Sequence, residues 1–197
     1  MNLSDSLQQK LEFLIEIDKL KSVFRKTRLF DCSREENDAE HAWHLALFAL
    51  TLSDYANEPV DVAKVVKMVL AHDLVEVYAG DTFLYSDKPA EDKYQEEKAA
   101  GERLFSMLPE LEGREWMELW EEFEAEETAE SRFAAALDRL EPVMQNYLTK
   151  GFTWKKYGIT RDRVIKANKK IARGSAELWD YALDLINKAV EKGYLNN

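Results

Sequence analysis

The sequence is poor in residues that cross-link a chain or interrupt a helix. It contains one cysteine, seven glycines and four prolines in 197 residues. A single cysteine cannot form an internal disulfide or a cysteine-type zinc cluster, and this usage fits a reducing cytoplasm. Cys32 is disfavoured as a nucleophile because no catalytic signature surrounds it. The length suits one domain with a substantial core, so we expect residues 1–197 to form a single domain.

Long apolar runs and an excess of basic residues are also missing. No apolar stretch approaches the roughly 20 residues that a bilayer span requires. The polar segment 1–10 lacks the apolar core of a signal peptide, so we expect a cytoplasmic protein with no membrane partner. The formal net charge of −11 disfavours binding to a nucleic acid duplex. A small phosphorylated ligand remains compatible, because a metal ion and a few basic side chains reverse the local field in a pocket.

What the sequence does contain is an apolar period of three and four residues along most of its length. Examples are Leu7, Leu11, Leu14, Leu178, Ala182 and Leu185. This period is typical of amphipathic helices, and no strand-like alternation is found. We predict a compact all-α fold of about seven helices, with loops at 27–37 and 80–89. The predicted helices are 4–25, 38–57, 60–79, 90–108, 113–126, 128–150 and 160–192.

Several local features refine this prediction. Gly80 is expected to end the third helix, and Thr128 and Thr160 to cap the sixth and seventh. The acidic segment 110–130 is better explained as a solvated helix face than as a metal site, since surface charge runs are common. Its apolar residues recur at helical spacing and are predicted to form the buried side of that helix rather than an aromatic ligand cage. They are Trp116, Leu119, Trp120 and Phe123.

Histidine is scarce, and its settings are informative. The three histidines are His41, His44 and His72. His72 and Asp73 are adjacent within an apolar helical stretch, where burying both is unfavourable unless they are satisfied. A divalent cation would satisfy them, because imidazole and carboxylate are common ligands for first-row metals. A hydrogen-bonded pair in the core is the alternative.

Asp138 is a further acid within an apolar helical stretch. Pro142 follows it by four residues, and a proline clashes with the carbonyl of the residue four before it. The helix is therefore expected to be distorted beside Asp138. A helix that simply restarts at Pro142 is the alternative.

Two histidines and two aspartates occur in an order that resembles the H…HD…D signature of the HD-domain metal-dependent phosphohydrolases. They are His41, His72–Asp73 and Asp138. The branch that contains the 5′-deoxynucleotidases is the most similar, over roughly residues 10–150, which leaves 151–197 as a helical extension. The stretches that carry the resemblance are 20–25, 36–41, 71–76, 79–81 and 136–141.

The resemblance implies a helical domain that holds one divalent metal ion through His41, His72, Asp73 and Asp138. It also implies hydrolysis of deoxynucleoside 5′-monophosphates, with a small nucleotide as the substrate, and a homodimer. Mixed nitrogen and oxygen ligands suit Mn²⁺, Co²⁺, Fe²⁺, Ni²⁺ or Zn²⁺. The expected reaction is metal-assisted hydrolysis of a phosphomonoester.

The resemblance further implies that Glu76 and Asp81 are the catalytic carboxylates and that Arg25 or Arg28 binds phosphate. Glu76 is four residues after His72, so both lie on the same helix face. Guanidinium groups bind phosphate in a bidentate manner, whereas ordinary surface salt bridges are the alternative for both arginines.

Two points stay open in the sequence. Relatives carry a tryptophan in the segment that corresponds to 25–30, and this chain has none there, which leaves the preferred substrate open. His44 is interpreted as a supporting or surface residue. The alternative functions are an HD phosphohydrolase that acts on a nucleoside triphosphate or alarmone, and a non-catalytic metal-dependent nucleotide sensor. The presence of both Glu76 and Asp81 argues against the sensor.

Overall fold

A computed structural model describes residues 4–197, so residues 1–3 of the polar N-terminal segment and of the expected single domain lie outside it. The predicted all-α fold is confirmed. The α-helices are α1 (Asp5–Ile17), α2 (Asp38–Leu52), α3 (Val62–Ala71), α4 (Glu76–Ala79), α5 (Ala90–Phe105), α6 (Glu110–Ala125), α7 (Ala129–Leu148), α8 (Phe152–Lys156), α9 (Arg161–Asn168), α10 (Ile171–Gly174) and α11 (Ala176–Glu191). In residues 4–197, none of these helices has the length and hydrophobicity needed to cross a bilayer.

Capping residues fix the starts of α2 and α7, the two helices that contain the expected ligands His41 and Asp138. Asn37 accepts a hydrogen bond from the Glu40 amide at 2.9 Å, and the Glu40 carboxylate accepts one from the Asn37 amide, which forms a capping box before α2. Thr128 caps α7, as predicted, by accepting a bond from the Ser131 amide at 3.2 Å. Gly80 ends α4 with φ at 75°, as predicted.

The expectation that strands are absent was wrong between α1 and α2. The predicted helix 4–25 ends at Ile17, and a 3-10 turn leads from it into β1 (Phe24–Arg28). This strand pairs antiparallel with β2 (Glu35–Asn37), within the segment predicted as a loop. Strands of five and three residues are too short for a two-residue period to be recognised.

Two long predicted helices are interrupted. The predicted helix 60–79 becomes α3, a 3-10 turn at His72–Val75, and α4. The predicted helix 160–192 divides into α9, α10 and α11. Gly174 explains the break between α10 and α11, because a Cβ there would lie 2.3 Å from the Arg132 carbonyl oxygen of α7. Thr160 lies at the start of α9, although within the described chain its side chain makes no capping bond.

Helix α7 forms the centre of the packing, with α2, α3, α6, α10 and α11 around it. Its side chains Phe133, Leu137 and Leu140 are fully buried. Pro142 lies inside α7, which continues to Leu148, so the alternative of a helix that restarts there was wrong. The predicted burial of Trp120 is confirmed by its exposure of 1%. This arrangement brings α2, α7 and the 3-10 turn after α3 to one region.

Candidate metal centre and cleft

The four expected metal ligands lie on three separate elements that converge. His41 comes from α2, His72 and Asp73 from the 3-10 turn, and Asp138 from α7. His41 Nε2 lies 3.1 Å from Asp138 Oδ1, and His72 Nε2 lies 3.7 Å from the same oxygen. His72 Nε2 is also 3.0 Å from Asp73 Oδ1. The structure therefore brings three of the expected donors, His41, His72 and Asp138, together at one point, with Asp73 beside His72.

The orientation of His72 fits a cation. Its Nδ1 lies 3.0 Å from the Val69 carbonyl oxygen, which can only accept, so Nδ1 carries the hydrogen. Nε2 then presents its lone pair towards two aspartates, and within residues 4–197 it has no hydrogen-bond partner. A buried lone pair that faces carboxylates requires a proton or a metal ion between them. The donor set at this point suits a divalent metal.

His41 is fully buried and carboxylates lie on both of its sides. Its Nδ1 is 3.4 Å from Glu141 Oε2 and 3.6 Å from Glu36 Oε2. Burial and the charge of Arg25 lower the pKa of His41, but the Asp138 and Glu141 carboxylates outweigh them and raise the pKa to about 10. A metal ion that binds Nε2 therefore has to replace a proton.

Of the two candidate arginines, the structure brings Arg25 into the site. Its Nη1 donates to Asp73 Oδ2 at 3.0 Å and to Asp38 Oδ1 at 3.2 Å. Arg28 instead donates to the Cys32 carbonyl at 2.8 Å and stacks on Phe152, 4.2 Å from the ring centroid. Within the described residues, Arg28 does not line the cleft that His72, Asp73 and Asp138 line.

Both predicted catalytic carboxylates line that cleft with His72 and Asp73. Burial, together with the charges of Asp73 and Asp38, raises the pKa of Glu76 well above its ordinary value. Burial also raises the pKa of Asp81. In the part of the chain that the structure describes, Glu76 Oε2 has no hydrogen-bond partner. A buried carboxyl with a raised pKa in a cleft is a candidate for proton transfer.

Sequence reasoning missed several residues of this region. They are Glu36, Asp38, Glu97, Arg139 and Glu141. Asp38 and Glu141 lie three residues from His41 and Asp138, so helical spacing could have identified them. Glu36 and Glu97 gave no such signal, because only the fold buries them beside other charges.

Arg139 is a cation on the cleft wall next to Asp138. Its Nε is 3.8 Å from Asp138 Oδ2 and, among residues 4–197, has no hydrogen-bond partner. His44 lies on the opposite side of His41, with Nδ1 3.3 Å from Glu141 Oε1. This location agrees with the supporting role expected for His44.

The cleft has a cavity volume of about 120 Å³ and opens to solvent. Aromatic residues of the 80–89 loop form one wall. Within this loop, Tyr85 OH accepts a hydrogen bond from Asn168 at 3.3 Å, and the Tyr85 carbonyl accepts one from Arg163 at 2.9 Å. Phe83 packs on Tyr157, with 4.7 Å between ring centroids. The segment 151–197 therefore supports this wall of the cleft.

Comparison with known proteins agrees with this arrangement. A family model described as "HD domain" matches residues 17–179. This chain belongs to the HD-domain family. A crystal structure of a predicted metal-dependent phosphohydrolase from Magnetospirillum magnetotacticum MS-1 is 47% identical with a TM-score of 0.94, and covers 98% of this chain and 97% of that one.

Curated relatives of this HD-domain chain are named 5′-deoxynucleotidase HDDC2. The protein from Bos taurus is 32% identical over 136 residues, and the one from Homo sapiens is 31% identical over the same length. Each match covers 68% of this chain and 65% of the relative. The chain thus matches just under two thirds of the length of these relatives.

Proposed function

We propose that this HD-domain protein is a metal-dependent phosphohydrolase that acts on the phosphomonoester of a small nucleotide. The convergence of two histidine Nε2 atoms with Asp73 and Asp138 on one side of a cleft carries this proposal. The metal-dependent phosphohydrolase and 5′-deoxynucleotidase names of its relatives support it.

His41, His72, Asp73 and Asp138 would hold one divalent ion, drawn from Mn²⁺, Co²⁺, Fe²⁺, Ni²⁺ and Zn²⁺. When bound, such an ion supplies Lewis-acid activation of water and of a phosphate oxygen. The remaining chemistry belongs to side chains of the cleft, since these carry charges and protons next to the ligand set.

Two kinds of side chain then act on the phosphate ester. Arg25 and Arg139 supply positive charge beside the ligands and neutralise phosphate oxygens. Glu76 or Asp81 orients the attacking water or protonates the leaving ribose oxygen. Their buried positions raise the pKa of each carboxyl, which favours a proton-bearing form.

The proposed substrates are deoxynucleoside 5′-monophosphates. A base can stack on the aromatic wall that Phe83 and Tyr85 contribute to the cleft.

We also propose that residues 1–197 act as one domain in a cytoplasmic homodimer. The exposed side of α2 carries Trp43, Leu47 and Leu50, an apolar surface that a second copy could cover. Light scattering coupled to size-exclusion chromatography measures the mass directly, and a monomer at micromolar concentration would contradict the dimer.

A panel of phosphorylated compounds tests the function. Phosphate release is measured for deoxynucleoside and ribonucleoside 5′-monophosphates, 3′-monophosphates, nucleoside triphosphates and an alarmone. We expect the deoxynucleoside 5′-monophosphates to react fastest. If only the triphosphates or the alarmone release phosphate, the proposed substrate is wrong and the hydrolytic activity stands. Nucleotide binding without phosphate release would support the non-catalytic sensor.

Metal content tests the ligand set independently of turnover. His72→Ala and Asp138→Ala are each expected to lose the bound ion after dialysis, as elemental analysis would show, because each removes a donor from the converging set. Full occupancy in both variants would exclude these residues as ligands.

A further inference from the structure

Two buried glutamates lie behind His41, on the side away from the cleft. Glu141 is fully buried and Glu36 is 2% exposed. Their Oε2 atoms lie 3.4 and 3.6 Å from His41 Nδ1. Within the described residues, these three atoms have no aligned hydrogen-bond partner. Buried polar atoms of this kind require a partner, and here they are close to one another.

The placement of Glu141 is the more constrained of the two. It lies one helical turn after Asp138 on α7, so one helix supplies a carboxylate to each nitrogen of the His41 ring. Asp138 Oδ1 is 3.1 Å from Nε2, and Glu141 Oε2 is 3.4 Å from Nδ1. The second Glu141 oxygen lies 3.3 Å from His44 Nδ1, which fixes the carboxylate from the opposite side.

Glu36 is held less directly. Its Oε2 is 3.6 Å from His41 Nδ1 and 3.9 Å from Arg25 Nε, so one oxygen lies between two groups. It comes from the short strand β2, whereas Glu141 comes from the central helix. The geometry therefore favours Glu141 as the partner of the imidazole.

We propose that Glu141 is a positioning residue, which holds His41 with a hydrogen on Nδ1 so that the Nε2 lone pair is left for the metal. A carboxylate only accepts, so the Nδ1 that faces it has to donate. Such a partner fixes the ring orientation and increases ligand basicity. This inference rests on the proposed metal site, and it assigns a function to a residue that touches neither metal nor substrate.

Metal affinity of Glu141→Gln is the first test, with Zn²⁺ or Co²⁺ as the probe and a chelator as competitor. The expected Kd is about 10–100-fold weaker than that of the unchanged protein, the usual effect of removing a partner of a metal-ligating histidine. Glu97→Gln is the matched control. It removes a carboxylate of similar burial that pairs with Lys93 and not with a proposed ligand.

The outcomes separate the two proposals. If the unchanged protein binds neither metal, the proposed function fails. If it binds metal and Glu141→Gln binds equally well, only the inference about Glu141 fails. Equal weakening in Glu97→Gln would indicate a general effect of removing negative charge, and it would also overturn the inference.

Nuclear magnetic resonance of the unchanged protein keeps the inference testable if Glu141→Gln does not fold. Only three histidines are present, so ¹⁵N-histidine labelling gives a simple spectrum. In the Zn²⁺-loaded protein we expect His41 to carry a slowly exchanging hydrogen on Nδ1 and to bind through Nε2. Binding through Nδ1, with the hydrogen on Nε2, would overturn the inference.

Discussion

Glu76 is the side chain on which the proposed proton transfer depends most directly. It is 5% exposed and shares the cleft with His72 and Asp73. Glu76→Gln keeps its shape and removes the ionisable group. We expect kcat to fall by roughly 10²–10⁴, the usual contribution of a positioned acid or base, while metal content and fold remain. Single-turnover kinetics with added metal isolate the chemical step.

Other results for Glu76→Gln would reassign the residue. Loss of the metal would make Glu76 a ligand or a support for one. Undiminished turnover would move proton transfer to Asp81, which lines the same cleft just beyond the end of α4.

Arg139 and Arg28 form a matched pair of arginines, because the first lines the cleft and the second is held against Phe152. A hydrogen bond to a charged group contributes about 1.5–3 kcal/mol, and 1.4 kcal/mol corresponds to a factor of about ten. We therefore expect Arg139→Gln to lower kcat/KM by more than about tenfold. Arg28→Gln should stay near the unchanged value.

Steady-state kinetics on the preferred nucleotide measure both variants. Near-unchanged kinetics in Arg139→Gln would remove this residue from the phosphate site. A large loss in Arg28→Gln, with its fold intact, would return phosphate binding to the arginine that the structure places outside the cleft.

The proposed ligand residues were accessible from the sequence, but not all of their partners were. His72–Asp73 and Asp138 stand out as polar residues in apolar helices, a local signal. Glu97 becomes significant only when the fold buries it, and Glu36, although it begins the stretch 36–41, shows its place beside His41 only in the fold. Arg25 and Arg28 could not be separated by sequence, because their difference depends on how β1 turns their side chains.

At the scale of elements, the N-terminal hairpin and the 3-10 turn at His72–Val75 are the main surprises. Both concern polar residues beside the site, where tertiary contacts outweigh local propensity. β1 and β2 place Arg25 next to Glu36 and next to Asp73. The predicted helix 4–25 and loop 27–37 did not anticipate this placement.

Gly151 connects α7 to α8 and is predicted to be irreplaceable. Its φ is 74°, and a Cβ there would lie 1.7 Å from the Tyr194 carbonyl oxygen. Gly151→Ala combines a left-handed backbone penalty of about 1–2 kcal/mol with overpacking of about 1–3 kcal/mol. We expect Gly151→Ala to lower the free energy of unfolding, measured by urea denaturation, by the sum of the backbone penalty and the overpacking cost.

Gly158→Ala is the control for Gly151→Ala. Its φ is 61°, but no atom of the described residues lies within 4 Å of the added Cβ. Only the backbone penalty of about 1–2 kcal/mol should remain. Equal losses in the two variants would show that the contact with Tyr194 contributes nothing.

At the scale of the whole molecule, buried ionisable groups predict how stability responds to pH. Without metal, burial raises the pKa of Glu36 and Glu97 to about 7 and that of Asp38 to about 6. The pKa of His41 is raised to about 10. Since the folded state binds more protons than the unfolded state over this range, the free energy of unfolding should fall as pH rises from about 5 to 8.

Urea unfolding in the presence of a chelator at several pH values measures this slope. Added Mn²⁺ should flatten or reverse it, because the ion replaces the proton of His41 and offsets the buried carboxylates. A metal-free protein that gains stability between pH 5 and 8 would contradict the raised pKa values.

The overall class of the fold was readable from the sequence, since the three-and-four period persists through most of the chain. The number of helices was not. The expected seven became eleven α-helical segments within residues 4–197. The break at Gly174 occurs where its backbone approaches that of α7, and such a contact leaves little trace in a local pattern.

The cleft wall described above has an evolutionary consequence. Tyr85 and Phe83 are anchored by Arg163, Asn168 and Tyr157, all of which follow the last proposed ligand, Asp138, along the chain. The proposed ligands and the residues that support this wall are therefore encoded in separate stretches of the gene. Drift in the C-terminal stretch can retune selectivity without touching a ligand. A chimera that exchanges 151–197 for the same part of a relative should keep hydrolysis and change the ranking of nucleotides.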